Sequence, residues 1–362
     1  MKCNLRTIFL FPFSIIYGSL TRFRNLLYDK GVLLSSPSEI PLISVGNLAV
    51  GGTGKTPHVE FILSVFRNRF RTAMISRGYK RDTSGFIVAN ENAKSCTIGD
   101  EPYQIFRKFS ENVVAVDEKR VRAVKNLIEL FPDIQSIVLD DAFQHRQISA
   151  GLSIVLTCYN NLYVDDCHLP GGNLRENRKG AQRADILIVT KCPKEIKQDE
   201  INVIRKRLKP DLNQKLFFSC YEYEEIQAVF PEYCREIFTL NNIRIYKAGI
   251  LLVAGIVSPE PVLEKLKNFT DTTNYLFYAD HHNFNANDIK HIEEKYKQLS
   301  AEKKIIIVTE KDAARMLDNT FIPDKLKSII YFLPVRVKIL DNKEDEFIKL
   351  LTDYVTENSR NC

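Results

Sequence analysis

With 362 residues, 44% hydrophobic and 27% charged, the chain is long enough for two globular domains and too apolar to stay disordered. Its 51 basic and 45 acidic residues leave a net charge of +6, a mild excess that suits an anionic substrate or a membrane surface and gives no reason to expect nucleic acid. The eight cysteines, at 3, 96, 158, 167, 192, 220, 234 and 362, make no CxxC pair and no metal-ligand spacing with the six histidines; they read as reduced thiols, which points to a cytosolic or cytosol-facing location.

The first element is the run IFLFPFSIIYGSL from Ile8 to Leu20, flanked by Lys2 and Arg6 before it and by Arg22, Arg24 and Lys30 after it. A spanning helix needs about 20 apolar residues. This run is shorter and carries Pro12, so it reads as an amphipathic helix lying in the membrane interface, with the flanking cations on anionic headgroups. A core helix and a signal-peptide core are competing readings; against the second, Arg22 and Arg24 stand where a small-residue cleavage site would be.

Short apolar, β-branched runs follow: LISV at 42–45, TAMIS at 72–76, VVAV at 113–116, SIVLDD at 136–141, SIVLT at 153–157 and DILIVT at 185–190. Amphipathic stretches such as Lys55–Arg67 and Lys119–Leu130 separate them. The pattern predicts an α/β fold with a doubly wound, mostly parallel sheet whose ligand sits at the strand C-termini. From about Leu212, the texture of FFSCYEY, QAVF and FTLNNIRIYKAG suggests short antiparallel strands, before GILLVAGI at 249–256 and KIIIVTEKD at 304–312. The expected division is a membrane-associating segment (1–35), a phosphate-loop core (36–210) and a smaller α/β domain (211–362), with the site in the cleft between the last two.

Strand LISV runs into GNLAVGGTGKTP, where Ala49, Val50, Gly51, Gly52, Thr53 and Gly54 form a loop that turns backbone N–H groups toward a polyphosphate. Lys55 is placed to reach the β- and γ-phosphates, and the Thr56 hydroxyl to ligate Mg²⁺. The strict GxxxxGK[ST] pattern has glycine where this chain has Ala49, so the loop is a variant. Asp140 and Asp141 end an apolar strand, where an acid facing that Mg²⁺ belongs; a helix cap is the alternative. Asp100 and Glu101 precede a helical stretch and read, by themselves, as helix N-terminal acids. Spacing leaves His281 and His282 free to cap or to pack, and Gln144 and His145 are candidate substrate contacts.

Taken together, GGTGKTP, SRGY at 76–79, GDEP at 99–102, DDAFQH at 140–145, LPGGNLRE at 169–176, DHHNF at 280–284 and TEKD at 309–312 make the chain resemble the tetraacyldisaccharide 4'-kinases of lipid A biosynthesis, over nearly its whole length. The resemblance implies a P-loop NTPase-type core, ATP and Mg²⁺ as cofactors, and phosphorylation of the 4'-hydroxyl of an acylated glucosamine disaccharide 1-phosphate. It further implies peripheral attachment to the cytoplasmic face of the inner membrane, with no nucleic acid and no obligate protein partner. By the same resemblance Asp100 is the general base and His281 assists it; Lys55, Asp140 and Asp141 serve the phosphates and the metal. Arg77, Tyr79, Glu101, Arg120, His145 and Asn173 become contacts to the sugar head, with Arg122 one turn from Arg120 as its rival. The family usually has glycine at Ala142 and a small residue at Lys80. A membrane-recruited nucleotidase switch and a non-catalytic nucleotide-binding scaffold are the other functional classes; the chain lacks the guanine-reading NKxD.

Overall fold

The computed structural model describes residues 5–234 and 238–358; Lys2, Cys3 and Cys362 fall outside them. Helix α1 (Leu5–Asp29) precedes β1 (Leu42–Asn47), a strand buried along its whole length. Next come α2 (Lys55–Phe66), β2 (Thr72–Ser76), β3 (Ile87–Val88), α3 (Ser95–Ile98), α4 (Asp100–Lys108), β4 (Val113–Val116), α5 (Arg120–Leu130) and β5 (Ser136–Asp140). Strands β6 (Leu152–Cys158) and β7 (Ile186–Thr190), helix α6 (Gln198–Leu208) and β8 (Lys215–Tyr223) extend the same layer. The second unit holds β9 (Gln227–Ala228), α7 (Leu240–Tyr246), β10 (Gly249–Ala254), α8 (Glu260–Lys267), β11 (Thr273–Phe277) and α9 (Ala286–Lys297). It continues through β12 (Lys304–Thr309), α10 (Glu310–Leu317), α11 (Asp324–Lys327) and β13 (Ile330–Leu333), after which come β14 (Val335–Ile339) and α12 (Glu344–Asn358).

The larger sheet has the order β14-β8-β7-β6-β1-β5-β2-β4-β3 and is parallel except at its two edge strands. Its strands are unbroken apolar runs because helices cover both faces. On one face Phe61 and Phe66 of α2 and Phe347 and Leu351 of α12 pack on the sheet, with the Phe347 and Phe217 rings 5.0 Å apart. On the other, Val124 and Leu127 of α5 meet Ile75 and Leu139, and Ile201 and Ile204 of α6 meet Leu187 and Val189. Each such fully buried side chain contributes about 1.5–3 kcal/mol. The sheet is therefore doubly wound, and β1 lies between β5 and β6 with Val45 level with Asp140.

Two expectations need correction. The boundary near 210 is displaced, because β8 pairs in parallel with β7 and β14 pairs back onto β8, so 215–223 and 335–339 belong to the larger sheet. In addition, FTLNNIRIYKAG is not strand: Leu240–Tyr246 is helical, started by Thr239, whose side chain accepts from the Asn242 N–H. The smaller sheet, β11-β10-β12-β13-β9, is parallel apart from two-residue β9.

Helix α1 rests on two loops of the core, the one after β5, where Arg24 donates to the Gln144 carbonyl at 3.0 Å, and the one between β6 and β7. Tyr17 donates to the Arg175 carbonyl at 3.0 Å, the Gly171 N–H donates to Ser14 at 2.9 Å, and Asn25 donates to Glu176 at 2.9 Å. Its other side is bare: Phe9, Phe11, Phe13, Ile15, Ile16, Leu20 and Phe23 are all more than half exposed. No helix among the described residues is long and apolar enough to cross a membrane.

Candidate active site

The phosphate loop hangs from the C-terminal end of β1. Ala49 bridges Leu174 as extended backbone and the Val50 N–H donates to the Asn173 carbonyl at 2.8 Å, which accounts for the missing glycine at 49. The tight bend comes later, at Gly51, whose φ of +107° suits glycine. Asn47 donates to the Thr53 hydroxyl at 2.7 Å, and Thr190 donates to the Thr53 carbonyl at 2.8 Å, fixing the loop from below. Pro57 has no N–H, and the His58 N–H donates to the Gly54 carbonyl at 3.2 Å. The N–H groups of Lys55 and Thr56 thus head the helix as anion donors.

His58, buried on α2, braces this arrangement. Its Nδ1 lies 2.7 Å from the Gly54 carbonyl and its Nε2 3.0 Å from the Ser219 hydroxyl. Burial lowers its pKa to about 4, opposed by the bond to Gly54. It is neutral at pH 7, with Nδ1–H donating and Nε2 accepting.

Asp140 ends β5 beside the root of the loop. Its carboxyl is buried, and Oδ1 has no hydrogen-bond partner among the described residues. Burial, then repulsion from Glu101 and Asp141, pushes it up to about 7 against the pull of Lys55 and Lys311. A buried carboxylate oxygen with an unfilled lone pair, next to a second acid, Asp141, and within the field of Lys55 at the head of α2, fits a divalent cation. No cluster of three or more His, Cys, Asp or Glu side chains suited to a metal occurs among the described residues. Mg²⁺ at nucleotide sites takes one or two carboxylates, with phosphate and water completing its shell.

Asp141 faces the loop from a left-handed backbone conformation (φ +49°). Lys55 Nζ is 3.7 Å from Oδ2, and Arg175 Nη1 donates to both oxygens at 2.8 and 2.9 Å. Burial opposes its ionisation, but Lys55 and Arg175 hold its pKa below the usual carboxylate range. Nearby, Arg120 is buried and donates from Nη1 to the Asp117 carbonyl at 2.6 Å, while Nε and Nη2 find no partner among the described residues. Burial brings its pKa down to about 10, against the fields of Asp140 and Asp141. A guanidinium with two orphaned N–H groups is built for an anion or a polar ligand. His145 is lowered to about 4 by burial and by the charges of Arg120 and Arg77, so it is neutral at pH 7.

The second unit supplies the opposite wall. Gly99, at φ +94°, lets the turn before α4 pack against the backbone of Gly78, where a Cβ would sit 3.1 Å from its Cα. Asp100 then opens α4, and His281 Nδ1 is 2.9 Å from its Oδ2. Arg315 Nε donates to the same oxygen at 2.8 Å. Burial pushes the Asp100 carboxyl up, but the hydrogen bond from His281 and the charge and hydrogen bond of Arg315 outweigh it and hold it low. Since Asp100 is ionised, Nδ1 of His281 carries the proton. Glu101 pairs with Lys311 at 2.7 Å, and the Tyr79 ring stands edge-on to His281 with centroids 5.3 Å apart. His282 instead reaches Asp288 at 2.9 Å in the first turn of α9, a structural role.

Of the residues singled out from sequence, the loop, Lys55, Asp140, Asp141, Arg120 and His145 gather at one end of the larger sheet, and Asp100, Glu101, Tyr79 and His281 meet at the seam with the second unit. Arg77 is exposed at the end of β2 and is felt electrostatically by Arg120 and His145. Asn173 is already engaged: its amide donates to Asp166 at 2.9 Å, and its carbonyl carries the loop. Sequence reasoning missed Arg175, Lys311 and Arg315, although the first two lie inside quoted motifs and Arg315 follows TEKD by one helical turn.

The tetraacyldisaccharide-1-P 4'-kinase family model matches residues 6–356. A tetraacyldisaccharide 4'-kinase of Bacteroides thetaiotaomicron is 45% identical over 357 residues, covering 97% of this chain and 94% of its own. Its counterpart in Flavobacterium johnsoniae is 42% identical, covering 98% and 99%. Among solved structures, LpxK from Aquifex aeolicus in complex with ATP superposes with a TM-score of 0.72 at 26% identity, over 97% of this chain and 100% of that one. A match from residue 6 to residue 356, with this identity and this fold, places the chain in the tetraacyldisaccharide-1-P 4'-kinase family.

Proposed function

We infer that the protein transfers the γ-phosphate of ATP to the 4'-hydroxyl of a tetraacyl glucosamine disaccharide 1-phosphate, giving the 4'-phosphorylated lipid A precursor. The observation that carries this reading is the meeting of Asp100 with His281, 2.9 Å apart, across the seam from a phosphate loop whose lysine and helix N-terminus are presented to an anion. A nucleotide scaffold has no use for an ionised carboxylate held in that way.

In this mechanism the loop N–H groups and Lys55 hold the polyphosphate. Thr56 and Asp140, with Asp141 adjoining, would hold Mg²⁺, which when bound supplies charge neutralisation at the transferring phosphoryl group. Asp100 takes the proton of the attacking hydroxyl. His281 keeps Asp100 oriented. Arg120, Arg77, His145, Tyr79 and Glu101 line the space for the sugar head, and the orphaned N–H groups of Arg120 suit its phosphate or hydroxyls. Helix α1, with its bare apolar side, lies in the cytoplasmic face of the inner membrane so that acyl chains stay in lipid while the head enters the site.

The test is phosphate transfer from labelled ATP with Mg²⁺ to the detergent-dispersed acceptor, run beside hydrolysis without acceptor. Label on the lipid and negligible hydrolysis in its absence is the expected result. ATP turnover that ignores the lipid would replace the kinase with a nucleotidase switch.

A further inference from the structure

We propose that Arg315 is a positioning residue for the transfer: it immobilises one oxygen of Asp100 so that the other, Oδ1, is presented to the acceptor hydroxyl. The proposal rests on the reading of Asp100 as the base. Arg315 lies on α10, in the second unit, and its side chain is 2% exposed. Nε donates to Asp100 Oδ2 at 2.8 Å, while Nη1 donates to Asp312 Oδ1 at 2.8 Å and to the Gly255 carbonyl at 3.0 Å. Asp312 is itself anchored, accepting at Oδ2 from the Gly255 N–H at 3.0 Å and from the Thr309 hydroxyl at 2.6 Å. A planar guanidinium gripped along two edges cannot rotate, and the carboxylate it meets inherits that orientation.

Both donors that reach Asp100 use the same atom. His281 Nδ1 and Arg315 Nε converge on Oδ2, and no donor among the described residues contacts Oδ1. A proton acceptor needs an uncommitted lone pair, so Oδ1 is the atom that can serve. A role in packing alone explains this poorly, because a buried ion cluster is often no more stabilising than apolar side chains of the same volume. Other charged groups around the pair are Glu101, next to Asp100 in sequence, with Lys311 2.7 Å from it, and Asp280, 3.7 Å from His281 Nε2. None of these takes the Oδ2 position. Arg315 also stabilises the carboxylate form of Asp100, so its removal shifts ionisation of Asp100 to higher pH.

The experiment compares the full-length wild type, Arg315→Gln, Arg315→Lys and Asp100→Asn, measuring kcat, KM for ATP and the pH dependence of transfer, with folding checked by thermal melting. Arg315→Gln is expected to lower kcat on the order of 10²-fold, the cost of a small misplacement of a reacting group, to leave KM for ATP in place, and to move the acid limb of the profile upward. Arg315→Lys restores the charge without the fork, so the limb returns to the wild-type position while kcat stays about tenfold low. Wild-type kcat in either variant overturns the proposal, as does a fall in kcat with an unmoved limb in Arg315→Gln. If Arg315→Gln does not fold, kcat in Arg315→Lys decides alone. An active Asp100→Asn would instead remove the base reading on which the proposal stands.

Discussion

The phosphate loop and the seam between α4 and α10 face each other across the site, and they are assembled in opposite ways. The loop comes from one stretch, 46–56, suspended between β1 and α2 and braced by neighbours in the same sheet. The seam is made of pairs far apart in the chain: Asp100 with His281 at a separation of 181 residues, Glu101 with Lys311 at 210, and Asp100 with Arg315 at 215. The nucleotide half can therefore form wherever the larger sheet forms, whereas the cluster around Asp100 is complete only when the second unit is docked. Such a division suits an enzyme that must hold ATP without spending it on water, since the base proposed for the acceptor depends on contacts from the second unit.

The sharpest way to break this comparison is to damage each half separately. Asp100→Ala is expected to lower turnover by about 10²–10⁴-fold, the usual worth of a general base, with ATP affinity unchanged in a direct binding titration. Lys55→Ala should lower turnover by about 10²–10³-fold, as for loss of one preorganised charge contact, and should weaken ATP binding as well. If Asp100→Ala also lost ATP, the two halves would not be independent.

Lys108 is where the halves are tied together. Its Nζ lies 2.7 Å from Glu60 on α2 and 2.8 Å from Glu310 on α10, and Gln104 donates to Glu60 at 2.6 Å. Burial, with the charge of Glu310, pushes Glu60 up to about 7, while the pull of its two carboxylates holds Lys108 charged despite its burial. Lys108→Met leaves two poorly solvated acids facing each other. We expect a loss of roughly 3 kcal/mol, at the low end for a broken buried pair because Lys108 is partly exposed, in urea unfolding. A loss below about 1 kcal/mol would class Lys108 with ordinary surface pairs and remove it as a tie.

What could be read from the sequence follows the same division. Apolar β-branched runs mark buried parallel strands, and TAMIS coincides with β2 at both ends. The loop was legible because its chemistry is contiguous; even its departure at Ala49 resolves locally, as a bridge to Leu174. The boundary at 210 failed because β8 owes its place in the larger sheet to pairing, on one side with β14 more than a hundred residues later, and no local feature encodes that return. FTLNNIRIYKAG was misread because alternating apolar residues outweighed the capping pair Thr239 and Asn242. Lys311 and Arg315 were invisible for a related reason: a cation on an amphipathic helix looks solvated until its long-range partner is known.

The smallest effect concerns the self-contained half and asks whether its brace is independent of the seam. His58 is neutral and buried in the folded chain, with a pKa near 4 against 6.5 as an ordinary histidine. A histidine depressed in this way contributes stability that is full above pH 6.5 and is lost as pH falls toward 4, because only the unfolded chain then takes up the proton. Between pH 7 and pH 5 that amounts to about 2 kcal/mol. Carboxylates elsewhere also titrate below neutrality, so the informative quantity is the difference between the wild type and His58→Gln in urea unfolding at the two pH values. His58→Gln should lose about 2 kcal/mol less than the wild type over that interval, and the same difference should appear in the Lys108→Met background if loop and seam are uncoupled. Equal losses in the wild type and His58→Gln would mean that His58 is hydrated enough to protonate in place, and the loop would then lack the rigid support that Gly54 draws from it.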